Sequence, residues 1–187
     1  MVLGVDRQDG STDQLRRLEE EIKGCELCRL HEERTHAVPG TGSHDADVMF
    51  IGEAPGRQED EEGKPFVGRA GEVLNELLES VDLSRKEVYI TNVVKCRPPD
   101  NRDPRKNEKE TCWPYLEEQI RSLEPEIIVT LGNHATEALT GESGMKEVHG
   151  ERLEYKSIPL VPMYHPAAAL YNPNLKSVME EDMEVLK

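Results

Sequence analysis

The chain has 187 residues and a formal net charge of −15 at pH 7, which excludes a generic basic nucleic-acid binder, because non-specific DNA affinity comes from cations that neutralise phosphates. No apolar run approaches the roughly 18 residues of a membrane-spanning helix, and the N-terminus is charged where a signal peptide is apolar. We therefore expect a cytoplasmic protein without a membrane partner, with a flexible tail at residues 1–12 and a single domain at residues 13–187.

The first half of the chain alternates helical and extended patterns. Apolar Leu15, Leu18 and Ile22 recur at helical spacing and predict a first helix, capped by Ser11 or Thr12, that leads into "CELC". The elements predicted next are a buried strand at residues 48–52, a helix over "GEVLNELLESV" and a second strand at residues 88–94.

The second half continues this alternation. Residues 108–123 predict a helix despite Pro114, which suits a first turn better than a middle, so the helix is expected to start near Trp113. The remaining predicted elements are a strand at residues 126–132, a short helix over "NHATEALTG", a strand over "IPLVPMYHP" and a closing helix with Pro166 in its first position. The whole pattern predicts an α/β three-layer sandwich, with a central four-stranded parallel sheet and helices on both faces.

Polar side chains stand where three of these strands end. Ligands of parallel α/β sheets bind beyond the carboxyl ends of the strands, so Glu53, Asn92 and His165 are expected to converge on one cleft. The Asn92 amide offers a donor and an acceptor side by side, which matches O4 and N3–H of uracil and mismatches cytosine. Taken singly, each residue also has a structural interpretation: Asn92 as a turn residue, His165 as a helix cap and Glu53 as a solvated charge.

The loop after the first predicted strand carries an aromatic ring. Phe66 lies among glycines and charged residues, where a flat ring can stack on a planar ligand or simply anchor the loop. Glu59 precedes Phe66 in the same loop, and a charged side chain in contact with solvent is an equally good interpretation of it. The acidic residues of this loop argue against a phosphate cradle.

Four cysteines are too few and too widely spaced to indicate a disulfide framework in a cytoplasmic chain. A CxxC pair with two distant thiols can close a tetrahedral zinc site or hold an iron–sulfur cluster, and the spacing does not choose between them. A redox CxxC or buried thiols are the other interpretations. The cysteines are Cys25, Cys28, Cys96 and Cys112.

One basic stretch interrupts the acidic chain. Residues 95–109 contain six Lys or Arg against three Asp or Glu, a local charge of +3. This stretch indicates a site for the phosphate backbone of a nucleic acid, although a solvated loop is the alternative.

The motifs "GEAPGRQEDEEGKPFVGRAG", "TNVVKCRPPDNRDP" and "MYHPAAAL", together with the cysteine set, resemble the family-four uracil-DNA glycosylases, the iron–sulfur branch of that superfamily. The match extends from about Leu18 to Leu170. It implies a DNA repair hydrolase that releases uracil from single- or double-stranded DNA and leaves an abasic site for base excision repair. It also implies a monomer and a [4Fe-4S] cluster on the four cysteines.

The resemblance also implies roles for single residues. Phe66 would stack on the flipped base, Asn92 would read its edge, and His165 would face O2. The remaining implied positions are the catalytic loop at Glu53 and Ala54, Glu59 near C5 of the base, and Asn101 in a motif position without an assigned role. Contacts with the phosphate backbone of DNA would come from Lys95, Arg97, Arg102, Arg105 and Lys106.

Two relatives of different activity compete with this interpretation. A covalently trapping branch of the superfamily carries an added loop with Arg and His, and "CRPPDNRDPRKNEKETC" contains no histidine. A non-catalytic iron–sulfur module that binds DNA is the rival from another class. Retention of Glu53, Phe66, Asn92 and His165 together argues against it.

Overall fold

The structure, a computed structural model, describes residues 10–187. The predicted tail falls largely on residues 1–9, outside the described residues, and the first helix begins at Gly10. The helices are α1 Gly10–Lys23, α2 Arg57–Glu62, α3 Arg69–Glu79, α4 Lys106–Leu123, α5 Asn133–Thr140, α6 Met145–Val148, α7 Ala167–Tyr171 and α8 Asn174–Met183. Short 3₁₀ helices cover Arg29–Glu32, Pro99–Asn101 and Glu184–Leu186. Among these helices, none is long and apolar enough to cross a membrane.

The sheet of the described residues has the order β1-β3-β2-β4-β6-β5. Its strands are β1 Thr41–Gly42, β2 Val48–Gly52, β3 Tyr89–Asn92, β4 Ile127–Leu131, β5 Leu153–Tyr155 and β6 Ile158–Met163. The four predicted strands, β2, β3, β4 and β6, are mutually parallel, which confirms the α/β class. Two antiparallel edge strands, β1 and β5, were not predicted, because segments of two and three residues are too short to show an alternating pattern.

Helices cover both faces of the sheet. Consecutive residues of β2 point to opposite faces, so Met49 packs in one cluster with α1, α4 and α5, whereas Phe50 packs in the other with α3, α7 and α8. The predicted three-layer sandwich is confirmed. Because the helices bury the sheet, the carboxyl edge of the strands is where a ligand can enter.

Helix α4 starts earlier than we predicted. It begins at Lys106, and Pro114 lies inside it on an exposed face. The backbone N–H of Arg105 donates to the Glu108 carboxylate at 2.7 Å, which stabilises the first turn. A proline has no N–H group, so one helical hydrogen bond is lost. Because Pro114 faces solvent, water can bond the carbonyl that is left free, and the helix continues through the proline.

Candidate active site

The expected polar residues meet at the carboxyl edge of the sheet. Gly52 and Asn92 are register partners at the ends of β2 and β3. The backbone N–H of Val94 donates to the Glu53 carbonyl at 3.0 Å, so the ladder continues past the end of β2. Ala54 follows, partly buried against the core. This bonding holds the backbone of the segment after β2 in place.

Asn92 lies against the ring of Phe66. A Cβ added to Gly52 would stand 2.4 Å from Asn92 Oδ1 and 2.7 Å from Phe66 Cζ, so only glycine allows both side chains to approach the strand end. Asn92 is 1 % exposed, and its buried Oδ1 has no hydrogen-bond partner among the described residues. An unpaired buried acceptor is costly unless a ligand satisfies it.

Phe66 sits in a strained backbone conformation. Its φ of 51° lies in the left-handed region, which is unusual for an aromatic residue. The guanidinium of Arg85 donates to the Phe66 carbonyl at 2.9 Å and to the Pro65 carbonyl at 2.6 Å. Gly71 packs so closely on the Phe66 carbonyl that a Cβ would stand 1.7 Å from it. These contacts fix the ring.

Glu59 holds the other side of the same loop. Its Oε1 accepts hydrogen bonds from the backbone N–H groups of Val67 and Gly68, both at 3.0 Å. Gly68 precedes α3, so the carboxylate also satisfies amides at a helix N-terminus. The geometry therefore shows a loop contact for Glu59. Its predicted position near C5 of a base stays a prediction.

His165 stacks against Phe66, with ring centroids 5.6 Å apart. Its Nδ1 accepts the backbone N–H of Ala167 at 3.1 Å, so the proton of the neutral ring is on Nε2. Burial lowers the pKa of His165 to about 4, although the nearby Glu59 carboxylate opposes this shift. Near neutral pH the residue is thus an uncharged donor.

Glu53 is half-buried, and its Oε1 is enclosed without a hydrogen-bond partner among residues 10–187. Burial raises the pKa of Glu53 above its ordinary value, protonated His134 and Lys109 lower it, and Asp103 raises it. His134 Nε2 lies 3.8 Å from Glu53 Oε2 and 3.5 Å from Asp103 Oδ2.

His134 and Asp103 were missed by the sequence analysis. His134 stands in α5, directly after β4, so its position at a strand exit was a usable signal. Asp103 lies in an irregular segment, but the quoted motif "TNVVKCRPPDNRDP" contains it, so its place in that motif was also a usable signal. The two side chains and Glu53 offer donor atoms within 4.8 Å of one another. In its protonated form, His134 pairs with both carboxylates.

Comparisons with known proteins identify one family. The family model described as "Uracil DNA glycosylase superfamily" matches residues 39–187. The chain is 49 % identical over 185 residues to the type-4 uracil-DNA glycosylase of Saccharolobus solfataricus, covering 94 % of this chain and 86 % of that protein. The type-4 enzyme of Sulfurisphaera tokodaii is 47 % identical, with 94 % and 84 % covered, and that of Archaeoglobus fulgidus 44 % identical, with 88 % and 87 % covered.

The chain belongs to the type-4 family of the uracil-DNA glycosylase superfamily. The predicted resemblance is confirmed, and it covers almost the whole chain. The residues of the candidate site described above lie inside the matched region.

The four cysteines of this glycosylase-family chain gather beside α1 and α4. All of them are free thiols, and together they line one small pocket: Cys25, Cys28, Cys96 and Cys112. The guanidinium of Arg34 donates to Cys96 Sγ at 3.0 Å, and the backbone N–H of Lys95 donates to Cys112 Sγ at 3.4 Å. Sulfur ligands of a metal centre accept such hydrogen bonds.

The basic stretch is less uniform than its sequence indicated. Lys95 is 1 % exposed, so its predicted contact with DNA is wrong: its ammonium group is turned into the protein. Arg102 makes two hydrogen bonds to the Glu108 carboxylate, at 2.7 and 2.8 Å, and its charge is largely neutralised there. Arg105 and Lys106 are exposed.

Asn101 lies on the same exposed stretch. Its side-chain oxygen accepts a hydrogen bond from Arg97 Nε at 2.7 Å, and its φ is 54°. The geometry places Asn101 in support of Arg97 and gives it no contact with Glu53 or Asn92 among the hydrogen bonds of the described residues.

Proposed function

We propose that this chain hydrolyses the N-glycosidic bond of deoxyuridine in DNA, releasing uracil and leaving an abasic site. The observation that carries the proposal is that Asn92 Oδ1 and Glu53 Oε1 are both buried without hydrogen-bond partners among residues 10–187, at the strand edge that also carries the ring of Phe66 and the neutral His165. Such a site suits a flat polar base whose edge supplies the missing donors. Membership of the type-4 family supports the same activity.

Three side chains bind the base in this proposal. Phe66 stacks on its face, since base–aromatic stacking contributes about 1–3 kcal/mol per base. Asn92 accepts the N3–H proton of uracil at Oδ1 and donates its amide to O4. Cytosine offers the reverse pattern at these two positions and leaves Asn92 mismatched, so selectivity against cytosine follows from unpaired buried groups.

His165 supports departure of the base. Cleavage of the glycosidic bond develops negative charge on uracil, and a preorganised donor lowers the barrier most when it meets that charge. The Nε2–H group of the neutral ring can donate to O2 of the leaving anion. A neutral donor also spares the site the cost of a buried cation.

Glu53 faces the sugar. An ionised carboxylate there stabilises the positive charge that develops on deoxyribose, and it can also orient the water that then attacks C1′. Ala54, next in the chain, leaves room for the sugar. Glu59 contributes indirectly, because it holds the loop that carries Phe66.

The cysteine site holds a [4Fe-4S] cluster in this proposal. The shared pocket and the N–H donors to sulfur support it. The cluster supplies a rigid cross-link and no redox step. It ties the segment after α1 to α4 and so steadies the basic stretch between Cys96 and Cys112.

DNA binds to the basic stretch in either its single- or double-stranded form. The exposed Arg105 and Lys106 can neutralise phosphates, and Arg97 is oriented by Asn101. The base must leave the stack before it reaches the pocket, which is easiest from a single strand or a U·G mismatch. The enzyme is expected to act as a monomer.

The first experiment uses labelled oligonucleotides with one uracil opposite guanine, opposite adenine or in a single strand, beside thymine and cytosine controls. Alkali reveals abasic sites, and a denaturing gel reveals covalent complexes. We expect strand breaks at uracil alone, without a crosslink. Asn92→Ala should abolish them, while the exposed control Asn174→Ala should not.

Two outcomes would contradict the proposal. DNA binding without strand breaks, in a folded protein that contains iron, would indicate a non-catalytic module. A crosslinked product would indicate the covalently trapping branch. Circular dichroism of Asn92→Ala separates a lost reaction from a lost fold.

A further inference from the structure

Helix α2 connects the two loops of the candidate site. It follows the segment of Glu53 and Ala54 and ends at Gly63, close to Phe66 in the chain. The helix has only six residues, and isolated helices shorter than about 12 residues are marginal in water. Contacts with other parts of the chain therefore fix its position. The position of α2 in turn decides how the Glu53 segment and the Phe66 ring face each other.

Two consecutive carboxylates of α2 bind backbone N–H groups of two different segments. Glu59 holds two N–H groups of the loop that carries Phe66. Asp60 Oδ1 accepts the N–H of Thr35 at 2.9 Å and the N–H of His36 at 3.3 Å, and Oδ2 lies 3.1 Å from the same Thr35 nitrogen. Asp60 is 3 % exposed, so these bonds are shielded from water. Hydrogen bonds from N–H groups to a carboxylate are stronger than those between neutral groups.

His36 also binds α2 in the reverse direction. Its Nδ1 lies 2.9 Å from the Asp60 carbonyl, and because a carbonyl oxygen only accepts, Nδ1 is the donor. A Cβ added to Gly63 would stand 3.5 Å from His36 Cβ, so the C-terminal end of α2 packs on the same residue. The side chain and the backbone of Asp60 thus attach the helix at one place.

The segment that Asp60 binds is itself anchored beside β3. The Pro39 carbonyl, at the end of residues 35–39, accepts the Thr91 hydroxyl at 2.6 Å and Gln119 Nε2 at 2.8 Å. Thr91 immediately precedes Asn92 in β3. Residues 35–39 therefore give α2 a fixed attachment to the strand that presents Asn92.

We propose that Asp60 is a positioning residue for base binding. Its carboxylate fixes α2 to residues 35–39 and so to the strand of Asn92. Glu59, the preceding residue of α2, then holds the loop of Phe66 at the distance from Asn92 that one flat base requires. The inference rests on the proposed function, in which the ring stacks on the base and the amide reads its edge. Asp60 acts through Glu59 and needs no contact with the substrate.

The first test compares Asp60→Asn with Asp182→Asn. Both substitutions turn a carboxylate with little exposure into an amide of the same size. Asp182, in α8, accepts hydrogen bonds from His149 Nδ1 at 3.0 and 3.1 Å, and among the hydrogen bonds of the described residues it makes none to α2 or to the Phe66 loop. KM, kcat and the inhibition constant of free uracil are measured on a uracil oligonucleotide, at a temperature well below each Tm.

We expect Asp60→Asn to raise KM and the uracil inhibition constant about fivefold, because weaker bonds to Thr35 and His36 let α2 shift. The kcat should change little, since stacking binds the base in the ground state and in the transition state alike. Asp182→Asn should lower Tm and leave both constants at their wild-type values. A merely structural role for Asp60 would lower Tm in the same way and move neither constant.

A milder variant covers the case in which Asp60→Asn does not fold. His36 is exposed, and His36→Ala removes only the bond to the Asp60 carbonyl. It should raise the uracil inhibition constant in the same direction by a smaller factor. Unchanged constants in every folded variant of this pair would overturn the role of Asp60 and leave the proposed function intact. A wild-type chain that neither releases uracil nor is inhibited by it would overturn both.

A double-mutant cycle tests whether Asp60 acts through Glu59. Glu59→Gln, Asp60→Asn and the double variant are compared by their uracil inhibition constants. Once Glu59 has lost its hold on the Phe66 loop, a shift of α2 has little further effect, so the double variant should resemble Glu59→Gln alone. Effects that multiply would show that the two carboxylates act independently and would contradict the proposal.

Discussion

Burial and neighbouring charges shift the pKa of Glu53 in opposite directions. Burial and Asp103 raise its pKa, while protonated His134 and Lys109 lower it. If the ionised carboxylate supports the reaction, activity falls when Glu53 takes up a proton. That fall should occur at a higher pH than for an ordinary glutamate. His165 does not cause it near neutrality, since its pKa of about 4 keeps the ring uncharged there.

Opposite shifts of the pH profile are expected from two neighbours of Glu53. His134→Ala removes the imidazole that, when protonated, lowers the pKa of Glu53, so the acid limb of kcat/KM should move to higher pH. Asp103→Asn removes a negative charge and moves it to lower pH. Exposed pairs interact by about 0.2–1 kcal/mol, so each shift should be roughly half a pH unit. The measurement is kcat/KM on a uracil oligonucleotide from pH 4 to pH 8.

The opposite signs provide an internal control. Shifts in the same direction, or a profile that neither substitution changes, would show that Glu53 ionisation does not set the acid limb.

The segment from Pro65 to Gly68 is held from both ends. Arg85 binds the carbonyls of its first two residues, and Glu59 binds the N–H groups of its last two. Between these contacts Phe66 keeps a positive φ that an unsupported aromatic residue would leave. The element that presents the ring is therefore rigid before the base arrives, which reduces the entropy lost on binding.

Loosening this segment should weaken base binding more than DNA binding. Arg85→Met leaves two carbonyls without their donor, at a cost of about 1–3 kcal/mol in stability. We expect KM and the inhibition constant of free uracil to rise, while affinity for undamaged DNA stays constant. Arg85→Lys can still donate to one carbonyl and should recover part of the loss.

The matched control is Arg69→Met, at an exposed position of α3. If Arg85→Met lowers Tm without changing uracil inhibition, Arg85 only stabilises the fold.

Charge is distributed unevenly over the whole molecule. The net charge of −15 repels DNA, so productive binding depends on the few cations that face outwards in the basic stretch. Arg102 forms an ion pair with the Glu108 carboxylate, and Glu108 is only 3 % exposed. Lys95 is buried altogether. Arg97, Arg105, Lys106 and Lys109 remain, although Lys106 also lies 3.7 Å from Glu110.

Salt titrations should separate these cations. Arg105→Ala combined with Lys106→Ala should lower the slope of log Kd against log salt concentration by about 1–2, one unit for each lost phosphate contact. Arg102→Ala should change the slope less and instead lower Tm, because the buried Glu108 carboxylate loses its partner. The reverse ranking would show that Arg102 leaves Glu108 to bind DNA. Lys86→Met serves as the control for net charge.

The local patterns of the sequence determined the four parallel strands, the helices between them and the convergence of Glu53, Asn92 and His165. Apolar periodicity reports which element forms, and parallel strands bring their carboxyl ends to one edge whatever their side chains are. The motifs around these residues also identified the family.

Only the tertiary structure decided what the charged residues do. Lys95 and Arg102 resemble surface cations in the sequence, yet one is buried against Gln119 and the other pairs with Glu108. Arg85 reaches Phe66 across 19 positions, and His134 reaches Asp103 across 31. Such contacts depend on the direction of each side chain and on which distant element packs beside it. Neither property is contained in local periodicity, because the partners become neighbours only when the sheet and helices have assembled.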